Sequence, residues 1–103
     1  MSIKIFIIED EPDIRDTLVY NFEKEGFKVD SDGSGLTGLE KIHSFKPDIL
    51  LLDLMLPDIS GLEICKKIKA DESLKNLSII MLTAKGDEVD RIVGFELGAD
   101  DYV

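Results

Sequence analysis

Three short runs rich in consecutive apolar residues, Ile3–Ile8, Ile49–Leu52 and Ile79–Leu82, constrain this chain more than any other feature. A strand with one wet face alternates apolar and polar residues. A strand covered on both faces of a parallel sheet stays apolar at consecutive positions. A fourth run, Phe27–Ser31, does alternate, with Phe27, Val29 and Ser31 against Lys28 and Asp30, and reads as a half-exposed edge strand.

Helical patterns separate these runs. Ile14, Leu18 and Phe22 recur at intervals of four, with Pro12 suited to the first turn and Gly26 to the end. Leu36, Leu39 and Ile42 form a second stripe between Ser34 and Pro47. Leu62, Cys65 and Ile68 form a third after Ser60, and Val89, Ile92 and Val93 a fourth before Gly98. With a fifth strand beginning near Asp100, the order is β-α-β-α-β-α-β-α-β, the signature of a parallel sheet with helices on both faces.

A chain of 103 residues fits one domain. Its net charge of −10 argues against direct contact with nucleic acid or an anionic membrane, whose phosphates it would repel. The single cysteine, Cys65, falls on the third apolar stripe and reads as a small core residue rather than a redox thiol. No apolar run reaches the length of a membrane span, and Met1-Ser2-Ile3-Lys4 does not begin a signal peptide. The expectation is a soluble cytoplasmic protein.

In an open parallel sheet, ligands bind beyond the carboxyl ends of the strands. Glu9, Asp10 and Glu11 follow the first strand, Asp53 ends the third, and Thr83 follows the fourth. Carboxylates gathered this closely repel one another unless a cation compensates. Hard oxygen donors suit Mg²⁺, and no His or Cys is placed to make a softer site. Phosphoryl transfer needs such a metal beside a positioned carboxylate, and Asp53, at the end of an apolar strand, is the natural nucleophile. Glu9 and Asp10 would hold the metal. Neighbours on a strand point to opposite faces, so both reach one ion only if the backbone turns there. Taken alone, Glu11 and Asp58 read as helix caps.

At these residues the chain resembles the response-regulator receiver domains of two-component signalling. The carriers are Ile7-Ile8-Glu9-Asp10-Glu11, Leu51-Leu52-Asp53-Leu54-Met55-Leu56-Pro57-Asp58-Ile59-Ser60-Gly61, Met81-Leu82-Thr83-Ala84-Lys85 and Gly98-Ala99-Asp100-Asp101-Tyr102. The stretch from Asp90-Arg91 onward is similar to the OmpR/PhoB subfamily. The resemblance implies a flavodoxin-like, doubly wound five-stranded parallel sheet in the order 2-1-3-4-5. It also implies a single receiver domain over residues 1–103, ending before its last helix and before the family's phosphoryl-pairing lysine.

The resemblance also implies roles. Asp53 accepts a phosphoryl group from a sensor histidine kinase, with Mg²⁺ held by Glu9, Asp10, Asp53 and the carbonyl of Met55. Thr83 contacts the phosphoryl group, and Thr83 and Tyr102 form the switch. Arg91, Asp100 and Asp101 lie on the fourth-helix and fifth-strand face of an activation-linked homodimer. Transcription would be controlled through a C-terminal DNA-binding domain outside this chain. Such a domain is not an enzyme beyond its own phosphorylation and dephosphorylation.

Other classes fit less well. A haloacid-dehalogenase phosphohydrolase needs an acid two residues after its nucleophile, where this chain has Met55. A flavodoxin needs a Ser/Thr/Gly-rich phosphate loop where Glu9-Asp10-Glu11-Pro12 stands. A pseudo-receiver, binding partners without phosphorylation, would not need the acids and Thr83 that are present.

Overall fold

A computed structural model describes residues 3–53 and 56–81 and the backbone of residues 82 and 101–102. The described elements are β1 (Lys4–Ile8), α1 (Pro12–Lys24), β2 (Lys28–Asp32), α2 (Gly35–Phe45), β3 (Ile49–Asp53), α3 (Gly61–Lys69), a 3-10 turn at Glu72–Leu74, β4 (Ser78–Leu82) and β5 (Asp101–Tyr102). The five strands form one sheet in the order β2-β1-β3-β4-β5, every described pair parallel. This is the parallel sheet with helices on both faces expected from the alternating pattern, in the strand order that the resemblance implies. The expected fourth helix, with Val89, Ile92 and Val93, lies outside the described residues.

The consecutive apolar runs sort by parity, because successive side chains on a strand leave opposite faces. Phe6, Ile8, Leu50, Leu52, Ile79 and Met81 point to one side and pack with Ile42, Ile64, Cys65 and Ile68 of α2 and α3. Ile5, Ile7 and Leu51 point to the other and meet Leu18, Val19 and Phe22 of α1. Cys65 is fully buried, in keeping with a core role. Each fully buried Ile, Leu or Phe contributes about 1.5–3 kcal/mol. Three central strands thus anchor the sheet edge that carries the acids. β2 lies at the edge and alternates as expected, with Lys28 and Asp30 exposed.

Two helix faces differ from the sequence stripes. In α1 the sheet contact is made by Leu18, Val19 and Phe22, while Ile14, in the first turns, lies off that patch and is half exposed. In α2 the buried face is Gly35, Gly38 and Ile42, and Leu36 is exposed. The small residues let α2 approach the core closely, which rotates the helix and turns Leu36 outward. Apolar periodicity misses such a face because glycine carries no apolar signal.

Candidate functional site

The site is built by strand register. Ile8 pairs with Leu52 across β1 and β3, so the next residues on each strand, Glu9 and Asp53, emerge side by side. Both continue the parity of Ile5, Ile7 and Leu51, and so leave the sheet on one face. Asp10 would leave on the other, but the chain bends after β1 and enters α1 at Pro12. The result is that Glu9, Asp10 and Asp53 present carboxylate oxygens all within 4.8 Å of one another.

Their environments differ. Glu9 is buried, with 5% of its surface exposed, while Asp10 and Asp53 are partly open. Burial lifts the Glu9 carboxyl from an ordinary 4.5 to about 7. A hydrogen bond to Asp53 and repulsion from Asp53 and Asp10 push it the same way, against an opposing backbone hydrogen bond from Glu11. Near neutrality this buried acid is thus poised between a shared proton and a negative charge. A divalent cation would resolve that competition. Three hard carboxylate oxygens at this spacing, with two side chains open to solvent, suit an ion that keeps part of its water shell.

The supporting loops clarify the remaining acids. Glu11 occupies the N-cap position of α1, yet its side chain makes no capping bond. Asp58 does cap a helix, but the helix is α2 rather than the following α3. Its carboxylate accepts hydrogen bonds from the backbone N–H groups of Gly35 (3.1 Å) and Leu36 (3.0 Å) and from the Ser34 hydroxyl (2.8 Å). The Leu36 N–H, the Ser34 hydroxyl and the Gly35 N–H together hold the Asp58 carboxyl down at about 2. Ser60 caps α3, accepting from the Glu63 N–H. The segment from Asp58 to Ser60 is thereby pinned to the start of α2 as well as to α3.

Two contributors escape a reading by spacing. The Glu9 N–H donates to the Asp32 carbonyl at the end of β2 (3.1 Å), and Arg15 donates from Nη1 to the Glu9 carbonyl (2.8 Å). Neither partner can be identified from the chain order, because β2 adjoins β1 only after the sheet forms. Of the expected site residues, the structure brings together Glu9, Asp10 and Asp53. Met55, Thr83, Arg91 and Asp100 lie outside the described residues. Asp101 and Tyr102 form β5, where Ile80 pairs with Asp101 and Met81 with Tyr102; their side chains are not described.

His43 lies in the last turn of α2. It also has a partner: Nε2 lies 2.8 Å from Asp71 and Nδ1 lies 3.1 Å from the Leu39 carbonyl. Lys66, Lys67 and Lys69 are exposed, a solvated face. No described helix is long and apolar enough to cross a membrane.

Comparison with known proteins agrees with this geometry. The family model for the response regulator receiver domain matches residues 5–103. The transcriptional regulatory protein CreB of Escherichia coli is 46% identical over 99 residues, covering 96% of this chain and 42% of that protein. The alkaline phosphatase synthesis transcriptional regulatory protein PhoP of Bacillus subtilis is 42% identical over 103 residues, covering all of this chain and 42% of that protein. The chain thus spans less than half the length of these relatives. The crystal structure of the BeF3-activated N-terminal receiver domain of Klebsiella pneumoniae RstA superposes with a TM-score of 0.90 at 30% identity, covering 97% of this chain and 83% of that one. A buried glutamate and two aspartates at the carboxyl edge of a 2-1-3-4-5 parallel sheet, in a sequence matched along nearly its whole length, place the chain in the response-regulator receiver-domain family, beside regulators of the OmpR/PhoB type.

Proposed function

We propose that this domain is a phosphoacceptor switch: Asp53 takes a phosphoryl group from a histidine kinase in a Mg²⁺-dependent reaction, and the change is passed to a transcriptional output. The observation that carries this reading is the convergence of Glu9, Asp10 and Asp53 within 4.8 Å, set by the β1–β3 register. A carboxylate oxygen of Asp53 attacks phosphorus, a P–O bond forms to Asp53, and the bond to the donor imidazole breaks. Bound Mg²⁺ would neutralise charge on the phosphoryl oxygens, with Glu9 and Asp10 as its other carboxylate ligands. β3 holds Asp53 at the end of a buried strand, so little reorganisation precedes attack.

Phosphorylation replaces the single negative charge of the Asp53 carboxylate by a phosphoryl group carrying roughly 1.5–2 negative charges, at an already acidic edge. The resulting rearrangement is the proposed signal, with Thr83 and Tyr102 as the switch and Met55 supplying a metal-binding carbonyl. The chemistry is confined to the domain's own phosphorylation and dephosphorylation. Dimerisation through the face of Arg91, Asp100 and Asp101 belongs to the same proposal. That CreB and PhoP are transcriptional regulators supports a transcriptional output.

The test is intact mass after incubation with acetyl phosphate, with and without Mg²⁺, for the native chain and for Asp53→Ala. One phosphoryl adduct is expected on the native chain, only with Mg²⁺, and none on the variant. An adduct that persists in Asp53→Ala assigns the acceptor elsewhere. No adduct on a folded native chain that binds Mg²⁺ refutes the phosphoacceptor reading for this chain.

A further inference from the structure

Glu9 and Asp10 are consecutive, and strand parity alone would send their carboxylates to opposite faces of the sheet. They nevertheless converge with Asp53. Something must therefore hold the bend where β1 ends. The backbone of Glu9 is gripped from both sides. Its N–H donates to the Asp32 carbonyl (3.1 Å), and its own carbonyl accepts from Arg15 Nη1 (2.8 Å). The helix that carries Arg15 starts from the same turn, since the Arg15 N–H donates to the Glu11 carbonyl (2.9 Å). The guanidinium occupies the space beside Gly33, so a side chain there would have to push it aside. A Cβ at Gly33 would fall 2.6 Å from Nη1, 3.5 Å from Cζ and 3.7 Å from the Glu9 carbonyl oxygen.

The direction of the guanidinium matters. Its described hydrogen bond goes to a backbone carbonyl, and no ion pair between Arg15 and a carboxylate is found among the described residues. An arginine bound to the carboxylates would compete with a metal. One bound to the carbonyl behind them fixes the turn and adds a positive charge to the region without itself occupying the ligand oxygens.

We propose that Arg15, seated in the gap at Gly33, is a positioning residue for the metal site, holding through the Glu9 carbonyl the turn that brings Asp10 to the side of Glu9 and Asp53. The inference rests on the metal-site reading above. Outer partners that orient metal ligands are typically worth 10–100-fold in affinity.

The experiment measures Mg²⁺ affinity by titration calorimetry for the native chain, Arg15→Ala, Arg15→Lys, Gly33→Ala and the double variant Arg15→Ala/Gly33→Ala. Circular dichroism in EDTA checks that each is folded. Arg15→Ala is expected to weaken Mg²⁺ binding roughly tenfold. Gly33→Ala, which leaves every charge in place but fills the slot, is expected to produce a comparable loss. The double variant is expected to bind no more weakly than either single one, because both changes remove the same contact. Arg15→Lys should recover part of the affinity.

Native-like affinity in folded Arg15→Ala overturns the inference, as do losses that add in full in the double variant. If Arg15→Ala does not fold, Gly33→Ala carries the test, and unchanged affinity there is equally fatal. A native chain that takes up no Mg²⁺ removes the metal-site reading, and this inference with it. Native binding with unaffected variants removes this inference alone.

Discussion

Replacing Glu9 with glutamine tests the electrostatics of the site without any signalling partner. Burial, the hydrogen bond to Asp53 and the neighbouring charges hold the Glu9 carboxyl at about 7, against 4.5 in an ordinary environment. Between those values the folded chain binds a proton that the unfolded chain has released. Stability in the absence of metal therefore falls as pH rises through this window. The contribution is fully present below about 4.5 and lost above about 7.

At ~1.4 kcal/mol per tenfold change in proton affinity, the whole interval corresponds to roughly 3 kcal/mol. Water reaching the partly open Asp10 and Asp53 screens part of that, so about 1–3 kcal/mol is expected. Glu9→Gln cannot ionise and escapes this loss. The chain has no tryptophan, so urea unfolding would be followed by far-UV circular dichroism, in EDTA, from pH 4 to pH 8. The variant should match the native chain near pH 4 and exceed it by about 1–3 kcal/mol at pH 8. Comparing the two chains at each pH cancels the titration of His43, which also falls partly in this range. With Mg²⁺ added, the native chain should gain stability steeply at pH 8 and little at pH 5, and the variant should gain less. A difference between the two chains that stays constant from pH 4 to pH 8 would refute the argument.

Two further predictions concern the scaffold. A methyl group at Gly35 would lie 2.4 Å from Ile59 Cγ2 and 2.7 Å from Ile64 Cδ1, so Gly35→Ala should destabilise by about 1–3 kcal/mol through overpacking; an unchanged urea midpoint would contradict this. His43 is held above its usual value by its hydrogen bond to Asp71 and then by the Leu39 carbonyl, which only the doubly protonated ring satisfies together. That stability is present below the unfolded value near 6.5 and is lost as pH rises through the raised folded value, so His43→Gln should be costly at pH 5.5 and nearly neutral at pH 9 in urea unfolding; equal cost at both would remove the ion pair as its source.

Much of the acidic site is legible in the amino-acid order alone. Glu9, Asp10 and Asp53 each follow a run of consecutive apolar residues, and the physics of a parallel sheet sends such strand ends to one edge. The groups that hold them are not legible in the same way. Asp32 and Arg15 act through backbone atoms of Glu9, and a residue bonding to a backbone carbonyl leaves no pattern of its own type in the chain. Asp58 is recognisable as a capping residue, but its helix is not. Ser60 takes the neighbouring cap, and Asp58 reaches back across 22 residues to Leu36.

The same division runs through the core. Strand identity and element order follow from local chemistry, since runs such as Ile49–Leu52 are too apolar to be left wet on either face. Helix faces do not follow. Leu36 and Ile14 fit their apolar stripes, yet both are about half exposed, because the packed face of α2 is set by how closely Gly35 and Gly38 let it approach and that of α1 by where Leu18, Val19 and Phe22 meet the sheet. Local preference and apolar periodicity depend on neighbours along the chain, and the amino-acid order supplies those. The lifted proton affinity of Glu9, the bend that recruits Asp10 and the slot that receives Arg15 depend on distances between segments that meet only when the sheet closes, and there the tertiary structure decides.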